Sequence, residues 1–276
     1  MVRIITDSAS DFEPLELQLL NVESVPLSVT FGNITYKENV NLTKRMFYNL
    51  LKTHNMPPTT SQPSPECFEE IFRDAENQGD EVVAILISSK ISGTYQCGKY
   101  ASSHFKNIHI IDSKTASAGQ RILVEEAVRM RNSGHSSEEI VNHLEILKEK
   151  IRLFAVIDSG DSVKRSGRLS ESEKINNISN IKPILTLDKG APKLIHKAIG
   201  TQRGINYIIK QLQNHKPDTN YPFHIMYAHN HHIAVKFKEQ LIKEGYHMTD
   251  HCLVNIGATI GSHIGVNSCG IAYVEK

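Results

Sequence analysis

The chain has no tryptophan among its 276 residues, and aromatic residues make up only 7%, too few for the stacking platforms that hold nucleobases or sugars. Nor does it carry a block of like charge: 31 Lys and Arg nearly balance 30 Asp and Glu, scattered along the sequence. The electrostatic footprint of a nucleic-acid partner is therefore missing. Cysteine is scarce. Cys67, Cys97, Cys252 and Cys269 are far apart and never form Cys-x-x-Cys, which predicts reduced, mostly buried thiols rather than disulfides or a zinc knot. No apolar run is long enough to span a bilayer, and the opening Met1-Val2-Arg3-Ile4-Ile5-Thr6-Asp7 meets an acid at once, so a cytoplasmic location is expected. Neither a Gly-x-x-x-x-Gly-Lys phosphate loop nor a Gly-x-Gly-x-x-Gly fingerprint occurs, so no nucleotide site is predicted.

What is present is an α/β rhythm. Short apolar runs at 4–5, 82–87, 108–111 and 153–157 are each followed by small polar residues and a stretch of helical spacing, as in a parallel sheet buried on both faces. Three of them end in Asp-Ser (Asp7-Ser8, Asp112-Ser113, Asp158-Ser159), where a side-chain oxygen can cap the next helix. Ser64-Pro65 opens a helix with the apolar stripe Phe68, Ile71, Phe72 and Ala75, and Ser136 with Glu139 forms a capping box before another. After residue 158 the pattern changes to a hairpin, residues 183–187 and 194–196 about Asp188-Lys189-Gly190, then helices at 201–214 and 233–244 and strands at 223–228, 252–255 and 271–274. The length supports two α/β domains, placed at 1–158 with a parallel sheet and 159–276 with a mixed sheet. The Pro-, Thr- and Ser-rich stretch 52–63 is expected to be a cleft-lining loop.

Four segments can carry chemistry. Thr59-Thr60-Ser61-Gln62-Pro63-Ser64 precedes one helix, and Ser88-Ser89-Lys90-Ile91-Ser92-Gly93-Thr94 joins a buried strand to the next. Strand ends of this kind line the ligand crevice of a parallel sheet, where hydroxyls and free amides suit an anion. The plainer reading is that they cap helices and make turns. Lys164-Arg165-Ser166-Gly167-Arg168 offers a guanidinium, more often a surface ion pair. Gly257, Gly261 and Gly265 flank His263, a residue that can donate to an anion but among glycines is more often structural.

These segments, with Ile5-Thr6-Asp7-Ser8-Ala9-Ser10-Asp11, Lys182-Pro183-Ile184-Leu185 and the terminal Gly270-Ile271-Ala272-Tyr273, give the whole chain a resemblance to the DegV family. The resemblance implies a two-domain α/β protein that holds a long-chain fatty acid between its domains and needs no other cofactor. The carboxylate ligands carried over are Thr60 and Ser92, with Ser61, Gly93, Arg168 and His263 grouped about them. It further implies a carrier rather than a free-standing enzyme, a separate kinase subunit that phosphorylates the bound acid for phospholipid synthesis, and only transient membrane contact during lipid exchange. Arg203 is the candidate for docking that partner. Two positions depart from the family: Val266-Asn267 follows Gly265 where Pro-Gly is common, predicting a less rigid loop, and Ala198-Ile199-Gly200 replaces a Val-Arg-Thr type stretch. Burying about sixteen carbons at ~0.8 kcal/mol per CH₂ offers on the order of 10 kcal/mol before association costs, enough for micromolar affinity without an ion pair.

Two other classes compete. Asp7, Asp11, Asp112 and Asp158 at strand ends could serve a metal-dependent phosphotransferase or hydrolase, although Asp7 and Asp11 do not form Asp-x-Asp, and Gly160-Asp161-Ser162-Val163-Lys164 lacks the last glycine of a nucleophile elbow. His229, His231 and His232, with His224, could bind a metal, but histidines at the end of a strand are usually solvated.

Overall fold

The computed structural model describes residues 1–54, 56–158, 167 and 180–276. Strands β1 (Val2–Asp7), β2 (Val22–Val25), β6 (Glu81–Leu86) and β7 (Ile108–Asp112) form a parallel sheet in the order β2-β1-β6-β7. Both faces are covered, which is why these strands read as unbroken apolar runs. Val82, Ala84 and Leu86 pack outward against Phe68, Phe72 and Cys97 of α3 (Pro65–Asn77) and α4 (Thr94–Ser102). Val83 and Ile85 face inward to Ile122 and Leu123 of α5 (Ala118–Asn132), which is flanked by α6 (Ser137–Lys150). The predicted capping box of α6 is present, with Ser136 and Glu139 exchanging bonds.

A six-stranded mixed sheet runs β10-β9-β8-β13-β11-β12, from β8 (Ile151–Val156), β9 (Ile181–Asp188), β10 (Ala191–Ile199), β11 (His224–Tyr227), β12 (Leu253–Asn255) and β13 (Cys269–Val274). Only β11 and β12 pair in parallel. Helix α7 (Thr201–Asn214) and helix α8 (His231–Lys243) cover its outer face through Ile205, Ile208 and Phe237. Its inner face meets α5, which touches both sheets and buries 11 of its 15 residues, the signature of a helix inside a protein rather than on it.

Three expectations need correction. The run 153–157 does not extend the parallel sheet; β8 pairs antiparallel with β13 and β9, and its unbroken apolar character comes from lying in the middle of the mixed sheet. The stretch 52–63 is not all loop. Helix α2 (Lys44–Thr53) runs into it, and β5 (Thr59–Ser61) joins β3 (Ser28–Phe31) and β4 (Ile34–Lys37) in a small antiparallel sheet. Of the three Asp-Ser pairs, Asp7 caps a short 3₁₀ turn, while Asp112 instead accepts bonds from the Ser89 and Lys114 amides; Asp158 accepts from Asn267 and Lys182, and Ser159, with the helix expected after it, lies outside the described residues.

Candidate functional site

The parallel strands deliver three loops to one end of their sheet, 8–11, 87–93 and 113–117. Their acids hold them in place. Asp7 accepts from the Ile87 amide at 2.7 Å and the Ala9 amide at 3.0 Å. Asp112 receives the Ser89 hydroxyl at 2.5 Å and the Ser89 amide at 3.1 Å. With its loop so braced, Ser92 stands half-buried, its hydroxyl 2.9 Å from that of Thr94. Opposite it, β5 presents Thr60, whose hydroxyl oxygen lies 2.8 Å from His263 Nε2 on α9 (Ala258–Ile264).

Thr60, Ser61, Ser92, Gly93 and His263 line a single pocket of about 670 Å³, together with Gln62 and Thr259. Gly93 lets the Gln62 side-chain oxygen approach closely, 1.8 Å from where a Cβ would stand. The pocket is rich in hydroxyls, and among the described residues its one ionisable lining group is His263. Such a lining can hold an anion by charge-assisted hydrogen bonds.

Ile91, Ile260 and His263 also belong to a second cavity. This one is apolar. The inner face of the mixed sheet supplies Leu153, Ala155, Ile157, Leu185 and Leu187, and Met226, Ile256 and Ile264 close it. The hydroxyls in its wall are already engaged within the protein: Thr186 donates to the Leu153 carbonyl at 2.8 Å, Ser268 to the Ile264 carbonyl at 2.6 Å, and Ser117 to the Asp11 carboxylate. Nothing in this wall asks for a polar ligand, whereas the adjoining pocket is polar. The pair is shaped for an amphiphile with an anionic head and an aliphatic tail.

Buried acids position α9. Glu38 accepts from the Ala258 and Thr259 amides and from the Thr259 hydroxyl, the last at 2.5 Å. Asp11 accepts from the Gly257 amide at 2.8 Å, and a Cβ on Gly257 would lie 2.2 Å from Glu38 Oε1 and 3.0 Å from Asp11 Oδ1, so the approach requires glycine. The Lys44 ammonium donates to the Asp11 carbonyl at 2.7 Å. Burial pushes Asp11 up to about 7 and Asp7 up to about 6, and raises Glu38. Ser117 adopts φ 54° and ψ −133° to reach Asp11, a sparsely populated conformation worth ~1–3 kcal/mol of strain. Neither Asp7 nor Asp11 is more than 1% exposed. These acids serve the backbone, and the phosphotransferase or hydrolase reading of them is not supported.

The loop after His263 is fastened despite lacking proline. Asp158 accepts from both the amide and the side chain of Asn267 at 3.2 Å, and its own amide donates to Ser268. Arg203 is exposed on α7, away from both cavities. Arg168 and the stretch 160–164 lie outside the described residues. The histidines part company: His224 is buried against Glu125 and His229 sits 2.7 Å from Lys52. No cluster of three or more His, Cys, Asp or Glu able to hold a metal occurs among the described residues. No helix there is long and apolar enough to cross a membrane. The tail-cavity residues, Glu38 and Thr259 are the parts that sequence reasoning missed.

Comparison with known proteins gives a consistent picture. A family model described as "Uncharacterised protein, DegV family" matches residues 1–276. A DegV domain-containing protein of Caldanaerobacter subterraneus is 35% identical, covering 100% of this chain and 99% of its own. Among solved structures, a fatty acid binding DegV family protein of Streptococcus agalactiae superposes with a TM-score of 0.89 at 26% identity, and a stearic acid-binding protein of Eubacterium ventriosum with 0.87 at 25%, each over 100% of this chain and 99% of the other.

Proposed function

The chain belongs to the DegV family, and on that premise we propose that it buries one long-chain fatty acid and presents its carboxylate to a kinase partner that converts it to an acyl phosphate for phospholipid synthesis. The observation that carries the reading is the wall shared by the two cavities: Ile91, Ile260 and His263 line both the hydroxyl pocket and the apolar one, so a polar site for a head adjoins an apolar site for a tail. Thr60 and Ser92 hold the carboxylate, with Ser61, the Gly93 amide and His263 beside them, and Arg168 is assigned to the same group. The acyl chain lies against the inner face of the mixed sheet. Affinity comes from the tail, at ~0.8 kcal/mol per methylene; the hydroxyls fix orientation.

On this reading the protein is a carrier and the partner supplies the phosphoryl transfer. Arg203, exposed at the start of α7, is the proposed contact for that partner. The test is native mass spectrometry of freshly purified protein with extraction and identification of any released lipid, followed by uptake of added palmitate or oleate. A stoichiometric long-chain acid supports the reading. Protein that is empty and refuses both acids sinks it.

A further inference from the structure

Ser88 is fully buried at the end of β6, and it lines neither cavity. The curl of the loop that carries Ser92 is nevertheless built around it. Its carbonyl accepts from the Ile91 amide at 2.9 Å and the Ser92 amide at 3.1 Å, and its amide donates to the Thr115 carbonyl at 2.9 Å. Its hydroxyl accepts from the Lys90 amide at 3.2 Å and donates, at 2.7 Å, to the carbonyl of Gly190. That last bond leaves the parallel-sheet half and reaches the tip of the β9–β10 hairpin.

The tip is made for this contact. Gly190 has φ +87°, and a Cβ on it would lie 2.5 Å from Ser88 Oγ and 3.3 Å from Lys114 Cα, so no side chain fits between hairpin and loop. The same hairpin offers Leu185, Leu187 and Pro192 to the apolar cavity. It therefore touches the region of the tail with its strands and the loop of the head with its turn.

We infer that Ser88 is a positioning residue, linking the hairpin that walls the acyl chain to the loop that holds the carboxylate, so that how the tail fills its cavity sets how Ser92 meets the head. The inference rests on the fatty-acid reading of the site. A buried hydroxyl whose partners are all backbone groups of two different elements transmits displacement, since neither partner has water to turn to instead.

The test is carbon-13 NMR of carboxyl-labelled palmitate and laurate bound to the wild-type protein and to Ser88→Ala. The wild type is expected to show two distinct carboxyl resonances, one for each acid. In Ser88→Ala the two converge and broaden, while uptake of palmitate stays within about fivefold of wild type, the loss expected for one neutral hydrogen bond. Gly190→Ala, which separates the tip from Ser88 while keeping the serine itself, produces the same convergence and covers the case in which Ser88→Ala fails to fold. Resonances that stay separated in the folded variant, or that coincide in the wild type, overturn the link. A wild type that takes up neither acid overturns the carrier reading with it, a result distinguishable because no bound signal appears at all.

Discussion

Ala155 sits on β8 in the wall of the apolar cavity, paired with Leu185 of β9 on one side and Gly270 of β13 on the other. Replacing it by leucine adds three carbons on the cavity side of the strand and leaves the ladder hydrogen bonds untouched. Those carbons take space from about three methylenes of the ligand, which at ~0.8 kcal/mol each is ~2.4 kcal/mol, or about a 50-fold loss of palmitate affinity. The empty protein should not suffer, because the new side chain fills a void instead of crowding a packed core. Laurate, four methylenes shorter at the tail, leaves that space free and should lose much less. Titration calorimetry with both acids, beside a thermal melt of the lipid-free variant, measures all three quantities. Equal weakening of both acids, or none for either, would refute the placement of the tail against β8.

Ser92→Ala should lower head-group fixation and phosphorylation by a kinase partner more than it lowers lipid uptake; a matching fall in both, read by phosphate incorporation against extracted lipid, contradicts the division between head and tail. Glu38→Ala strands the Ala258 and Thr259 amides and the Thr259 hydroxyl in a buried site, so it should cost ~2–4 kcal/mol in urea unfolding, and a loss under 1 kcal/mol would show that water replaces the carboxylate. Asp11 is raised from an ordinary 3.8 to about 7 by burial. Its folded state therefore holds the proton more tightly, and the stability this contributes is complete below about pH 4 and lost as pH rises toward 7. Asp11→Asn should flatten that part of the stability profile, and a profile of unchanged slope over this window would rule Asp11 out as its source.

How much of this could be seen in the sequence differs from element to element. The capping box at Ser136 and Glu139 and the turn at Lys189-Gly190 were readable because local chemistry fixes them. The hydroxyl loop 88–94 was readable as a loop beside a strand end, whereas Thr60 turned out to lie on strand β5, and the pocket gathered Thr60, Ser92 and His263 from positions up to 203 residues apart. The cavity wall was not readable. Leu153, Ala155 and Ile157 face the cavity while Phe154 and Val156 pack toward α7, yet all five are apolar, so the period-two alternation that exposes a strand's face is erased when both faces are dry. The same uniformity made 153–157 look like a parallel strand. Glu38 was hidden for a different reason: nothing near it in sequence marks it, and its partners lie 220 residues away.

The buried acids also bear on the charge that a carboxylate would meet in the described part of the site. A ligand carboxylate at Thr60 and Ser92, as proposed, would lie in the same pocket as Thr259, whose hydroxyl is committed to Glu38. Two ionised side chains behind that pocket would repel the ligand across a region of low dielectric. Burial opposes this by raising Asp11 to about 7 and by raising Glu38 as well, so that near neutrality the acids carry less than two full charges, while the Lys44 ammonium faces the Asp11 backbone from the other side. The Ala258 and Thr259 amides of α9 are already spent on Glu38, which among the described residues leaves hydroxyls and His263 to meet the ligand. Orientation by the hydroxyls and affinity from an apolar tail would then be parts of one arrangement, in which Thr60 and Ser92 place the carboxylate and the tail cavity retains the molecule.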